Sequence, residues 1–296
     1  MENKLGLVLA GGAARGIAHI GVLQALEEEG ISPYYLSGAS AGAIIGTLYA
    51  AGLSPQEILT IFKESALYKL FRARLPVSGL TTNSYIGEVL AKHIPEDDFS
   101  ALKRQMFIAV TNLNSGAYEI ISEGPLFQVV EASSAIPILF ESKKMNGQQY
   151  VDGGVLNNLP VEPLLAHTKH IIGVNVSPVL PVEDLDNLFK IGYRTMDLVM
   201  WANVQSRLPM CDIVIEPEAQ KFGFFDILKA DQIFELGYEA TRAQMPHILK
   251  VARQSRALTK TNPHRNRLNK AKKKARFLTA LRQWWDQILR SLRIRK

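Results

Sequence analysis

Cysteine is nearly absent from this chain: Cys211 is the only one in 296 residues. That excludes an internal disulfide framework and a cysteine-rich zinc site, and it fits a reducing compartment, so a cytoplasmic location is expected. With no histidine near it in sequence, Cys211 reads as a small buried residue. Long apolar runs are missing too, and none approaches the roughly 20 residues that cross a bilayer. Leu5 to Ala14 has the length of a signal-peptide core, yet Met1-Glu2-Asn3-Lys4 carries no net positive charge and Arg15 interrupts the run. It reads instead as a buried strand followed by a glycine turn. Acidic residues are scarce at one end. Residues 250–296 hold 16 of the 34 lysines and arginines but one of the 28 acids, Asp286. The net charge of +6 therefore combines a mildly acidic body with a strongly basic tail. No internal repeat is present.

What remains is the composition of a soluble globular protein, 47% apolar and 21% charged, long enough to bury a full α/β core. Lys4 to Leu9 is a short continuous apolar run of the kind found in central parallel strands. Ile17, Ile20, Val22, Leu23 and Leu26 follow at helical spacing and end at Gly30. Tyr34 to Ser37 predicts a second strand and Ala41 to Ala51 a second helix, which implies a parallel sheet with a right-handed crossover. Further helices are predicted over 56–64, 83–94, 125–133, 161–166, 185–206 and 231–254. Strands are predicted over 106–111, 117–121, 149–151, 171–176 and 213–215. Residues 66–82 are less regular and read as a loop or lid-like segment.

One stretch organises the rest. Gly38-Ala39-Ser40-Ala41-Gly42 lies between a predicted strand and a small-residue helix, the setting of a nucleophile elbow. The following helix would point its free N–H groups at the serine oxygen. Gly11-Gly12-Ala13-Ala14-Arg15-Gly16 is a second glycine-rich turn between strand and helix. As a nucleotide loop it fits poorly: the spacing is not G-x-G-x-x-G and no Gly-Lys-Ser/Thr is present. As an oxyanion hole its backbone N–H groups suit an attacked ester carbonyl. Arg15 would either add positive charge there or form a cap or ion pair. A serine needs a base. His19, His93, His167, His170, His247 and His264 stand in none of the loops that supply one in a Ser-Asp-His hydrolase, and each reads as structural. Asp152, at a strand end before Gly153-Gly154, is the better candidate, with simple turn capping as its alternative role.

Taken together, Gly11 to Gly16, Gly38 to Gly42 and Asp152-Gly153-Gly154 resemble the three blocks of patatin-like phospholipases, and Ala132 to Pro137 resembles a fourth. The blocks fall in the family's order over residues 4–176. Ala13 departs from the pattern, which often has glycine there. The resemblance implies a three-layer α/β/α fold with a mostly parallel central sheet. It also implies a Ser40-Asp152 dyad without histidine: Ser40 attacks the acyl carbonyl, Asp152 takes its proton, and N–H groups around Gly11, Gly12 and Ala13 hold the oxyanion. No metal and no cofactor is implied. The expected reaction is hydrolysis of a phospholipid or lysophospholipid acyl ester, with thioesters and small lipid esters also open. A non-catalytic regulatory or scaffold protein on the same fold is the alternative.

The composition breaks near Thr259 to Pro263. The catalytic domain is accordingly expected over 1–258 and a tail over 259–296. Within 264–296, Phe277, Leu281, Trp284, Ile288 and Leu292 recur at three- and four-residue spacing among arginines. This reads as a basic amphipathic helix, suited first to an anionic membrane surface on the inner face of the membrane. Docking on the body or on another subunit comes second, and no specific nucleic acid is expected.

Overall fold

The computed structural model describes residues 4–64, 83–181, 183, 185–223, 226–255 and 257–258. The expected lid-like segment, the basic tail and the boundary between body and tail lie outside the described residues.

Among the described residues eight strands form one sheet: β1 (Leu5–Leu9), β2 (Tyr35–Gly38), β3 (Gln105–Asn112), β4 (Ala117–Ile121), β5 (Lys143–Met145), β6 (Gln148–Asp152), β7 (His170–Val174) and β8 (Ile213–Ile215). Their order is β5-β6-β3-β2-β1-β7-β8, and β4 also pairs with β3. The five strands from β3 to β8 along this path run parallel, whereas β4, β5 and β6 join through antiparallel pairs. The sheet is therefore mixed. Its parallel centre matches the expected strand-helix-strand-helix opening, and its antiparallel edge includes β5, which the sequence does not announce.

The three-layer arrangement follows from strand periodicity. Along β1, Leu5, Leu7 and Leu9 enter one core with the helices Ala18–Glu28 (α1), Ala41–Ala51 (α2) and Ala230–Gln254. Val8 points the other way, into a second core with Tyr35, Phe107, Leu164 and Val204. Side chains alternate across a strand, so a fully buried β1 needs cover on both faces. The helix Ala230–Gln254 packs closely on α1 because glycines face backbone at the crossing. A Cβ on Gly21 would fall 2.0 Å from the Phe234 carbonyl oxygen, and one on Gly237 would fall 1.9 Å from that of Ala18.

The predicted 185–206 helix is Leu188–Gln205, started by Asn187, whose side chain accepts from the Lys190 N–H at 2.9 Å. Its apolar positions do not form a buried stripe. Leu188 is 84% exposed, and Ile191 and Val199 are exposed as well, while Met200 and Val204 are buried. Among the described residues no helix is long and apolar enough to cross a membrane.

Candidate active site

Sheet register brings Ser40 and Asp152 together. Gly38 on β2 is paired with Ile108 on β3, so Ser40, two residues on, comes level with Val110. Asp152 on β6 is itself paired with Val110. Asp152 thus ends an antiparallel strand, not a parallel one as expected, and that reversed direction lets β6 end at the height where β2 turns. The loop after Asp152 is tied to β2 as well, because the Ser37 hydroxyl donates to the Pro160 carbonyl.

The elbow is strained. Ser40 has φ 52 and ψ −123, caps α2 and is 3% exposed. A non-glycine residue in this region is held there only by its surroundings. Two contacts do so. The Ser40 N–H donates to the Ser133 hydroxyl at 3.0 Å, and that hydroxyl donates to the Ala109 carbonyl at 2.7 Å. Glycine at 42 brings α2 onto the end of β1, since a Cβ would lie 2.1 Å from the Leu9 carbonyl oxygen. Gly38 has the same role within the turn: its Cβ would lie 2.6 Å from the backbone of Gly42.

The glycine loop lies beside this elbow. A Cβ on Gly11 would be 3.1 Å from that of Ser40, and one on Gly16 would be 2.4 Å from that of Ala41. The Gly11 N–H is already engaged by the Asn158 carbonyl at 3.2 Å, so it is not a free donor. The N–H groups of Gly12 and Ala13 stand at the start of the 3-10 turn Ala13–Ile17, where a helix has no internal acceptor for them. Ala13 adopts φ 48, a left-handed conformation in which glycine would be easier. Arg15 is buried, and its guanidinium donates to Asp197 at 2.8 Å, so its charge is matched by the helix 188–205. Of the two readings for Arg15, the ion pair is the one found.

Asp152 is fully buried. One carboxylate oxygen, Oδ1, accepts the Gly154 N–H at 2.8 Å, and Oδ2 is buried with no completed hydrogen bond. Burial pushes the carboxyl up from 3.8 to about 7. The neighbouring Ser40 hydroxyl and the Gly154 N–H favour the ionised form and hold it from rising further.

Four of the described histidines are occupied elsewhere or exposed, and the fifth, His170, is half-buried at the start of β7. His19 is buried and donates to the Ala10 carbonyl at 2.7 Å, and desolvation lowers its pKa to about 4, so it is neutral. His167 stacks on Tyr35 at 5.1 Å, and His93 and His247 are exposed. His264 lies outside the described residues. Cys211 is partly buried, and burial raises its thiol to about 12.

Ser40 opens onto a cavity of about 130 Å³ whose walls include Ile44, Leu48, Phe62, Ile136 and Phe140. Ser134 also lines it, buried and with its hydroxyl unpartnered. Apart from the block containing Ser133 and Ser134, no local pattern in the sequence marks the supporting side chains. Asn158, Asp197 and Asn203 are ordinary polar residues in sequence, and only tertiary contact gives them a part in the site.

The fold and this convergence define a class: a three-layer α/β protein in which a glycine loop, a serine elbow and an Asp-Gly-Gly loop meet around one residue, Ser40. A sequence profile described as patatin-like phospholipase matches residues 7–165, more than half of the chain, and the chain belongs to that family. It is 29% identical over 279 residues to an uncharacterised NTE family protein of Mycobacterium tuberculosis, covering 82% of this chain and 46% of the relative. Lysophospholipase NTE1 of Saccharomyces cerevisiae is 32% identical over 273 residues, which cover 81% of this chain and 16% of the relative. The chain thus spans less than half the length of these relatives. VipD from Legionella pneumophila shares the fold, with a TM-score of 0.50 and 18% identity over 83% of this chain and 67% of that one.

Proposed function

We propose that the chain hydrolyses acyl esters of phospholipids or lysophospholipids through Ser40 and Asp152. The Ser40 hydroxyl oxygen attacks the carbonyl carbon while its proton passes to Asp152. The carbonyl electrons move onto oxygen, and the N–H groups of Gly12 and Ala13 stabilise the oxyanion. Collapse breaks the ester C–O bond, and protonated Asp152 returns its proton to the leaving alcohol. Water then attacks acyl-Ser40 with Asp152 again as base, which releases the fatty acid and restores the serine.

The observation that carries this reading is the full burial of Asp152 at the sheet height of Ser40, an environment that pushes its carboxyl up to about 7. An ordinary aspartate is too weak a base at neutral pH, whereas a base poised near the working pH is effective. The cavity at Ser40 suits an acyl chain, since its walls among the described residues are apolar side chains and serines with no charged group. Hydrolysis of lysophospholipid by purified protein, lost in Asp152→Asn with the fold intact, tests the proposal. Near-normal turnover in that variant would contradict it.

A further inference from the structure

Resting on the Ser40-Asp152 reading, we propose that Asn203 is a positioning residue that sets the base loop against the oxyanion loop. Its single carboxamide uses both ends. The amide nitrogen, Nδ2, donates to the Gly154 carbonyl at 2.9 Å, with longer approaches to the carbonyls of Val155 at 3.3 Å and Val199 at 3.2 Å. The amide oxygen, Oδ1, accepts the Asn158 N–H at 2.8 Å.

Each end leads to one half of the site. Gly154 is the residue whose N–H orients Asp152 Oδ1, so both of its backbone polar groups are engaged, the N–H by Asp152 and the carbonyl by Asn203. Asn158 accepts the Gly11 N–H through its carbonyl and donates from its side chain to the Gly11 carbonyl at 3.4 Å. Gly11 directly precedes Gly12 and Ala13. One side chain therefore spans the two loops whose relative placement fixes where a proton leaves and where charge develops. Asparagine is a weak helix former, and its presence near the end of the helix 188–205 is accounted for by these tertiary bonds. The same helix supplies Asp197 to Arg15 and sets Met200 under Gly154, where a Cβ would lie 2.9 Å from the Met200 methyl group.

Misplacement of reacting groups by about 1 Å can lower turnover about a hundredfold. The test is steady-state hydrolysis of a soluble short-chain nitrophenyl ester by wild type, Asn203→Ala, Asn203→Asp and Gln205→Ala. Aspartate keeps the size and the acceptor for Asn158 but cannot donate to Gly154. The expected result is a fall in kcat of about 10- to 100-fold in both Asn203 variants, with KM nearly unchanged, and wild-type rates for Gln205→Ala. Circular dichroism supplies the folded concentration for each. Wild-type kcat in Asn203→Asp, or a loss that vanishes once rates are expressed per folded molecule, would overturn the proposal. An inactive wild type would instead remove the Ser40-Asp152 reading on which it rests.

Discussion

The Ser133 hydroxyl accepts the backbone N–H of Ser40 at 3.0 Å and so holds the elbow from outside its own turn. It also donates to Ala109 on β3, which anchors the elbow to the sheet. Ser133→Ala removes both bonds and leaves the Ser40 N–H and the Ala109 carbonyl buried without them. An unsatisfied buried group costs about 1–3 kcal/mol. We expect a lower unfolding midpoint in denaturant together with a reduced kcat. Unchanged values for both would show that the turn holds itself.

Asp152 links activity to stability. Its folded carboxyl titrates near 7 and an unfolded one near 3.8. The folded state therefore binds the proton more tightly, and this group's contribution to stability is fully present below about pH 4 and is lost as pH rises through 7. The shift amounts to about 4 kcal/mol at pH 8, as an order of magnitude. Asp152→Asn keeps an acceptor for the Gly154 N–H and removes the charge. It should be inactive yet more heat-stable than wild type at pH 8, with the advantage shrinking at pH 5. His19 acts in the opposite sense, since its pKa is lowered to about 4 and its contribution is lost as pH falls from 6.5. That effect is common to both proteins, so their difference isolates Asp152. In wild type, kcat/KM should fall below about pH 7 as Asp152 takes up a proton.

Arg15 and Asp197 form a pair with side-chain exposures of 8% and 18%. Removing one partner of such a pair costs about 3–5 kcal/mol, whereas replacing both with apolar residues is often neutral. Arg15→Met should therefore destabilise the protein, and Arg15→Met with Asp197→Leu should restore its melting temperature. If the arginine only supports the loop, the double variant also regains hydrolysis. A stable but inactive double variant would assign the guanidinium to the reaction itself.

The two ends of the glycine loop respond oppositely to substitution. Ala13 sits at φ 48, and Ala13→Gly should leave stability unchanged or raise it by up to about 1 kcal/mol, with activity retained. Gly16→Ala would place a Cβ 2.4 Å from that of Ala41 and should lower both stability and turnover. Thermal unfolding of the two variants in parallel checks the contrast.

Much of this site could be read beforehand because its parts are local. A glycine pattern between strand and helix needs only neighbouring residues, so the elbow at Ser40 and the loop at Gly11 fall where the sequence puts them. The parallel centre follows from the same local alternation. The pairing of Ser40 with Asp152 depends on register across β3, which no local pattern encodes. For the same reason the antiparallel direction of β6 and the contacts of Asn203 and Asn158 leave no mark in the local sequence. The engaged Gly11 N–H and the Arg15-Asp197 pair are likewise tertiary facts. Leu188 and Ile191 show the converse: helical spacing marks a stripe without saying whether the core or solvent faces it.

The central claim is that Ser40 is an activated nucleophile. Labelling with a fluorescent fluorophosphonate tests it most directly, because the probe reacts with activated serines and assumes no lipid. Wild type should be labelled, Ser40→Ala should not, and labelling of Asp152→Asn should be strongly reduced. A folded wild-type protein that stays unlabelled, with and without detergent or vesicles, would contradict it and favour a non-catalytic role for this fold.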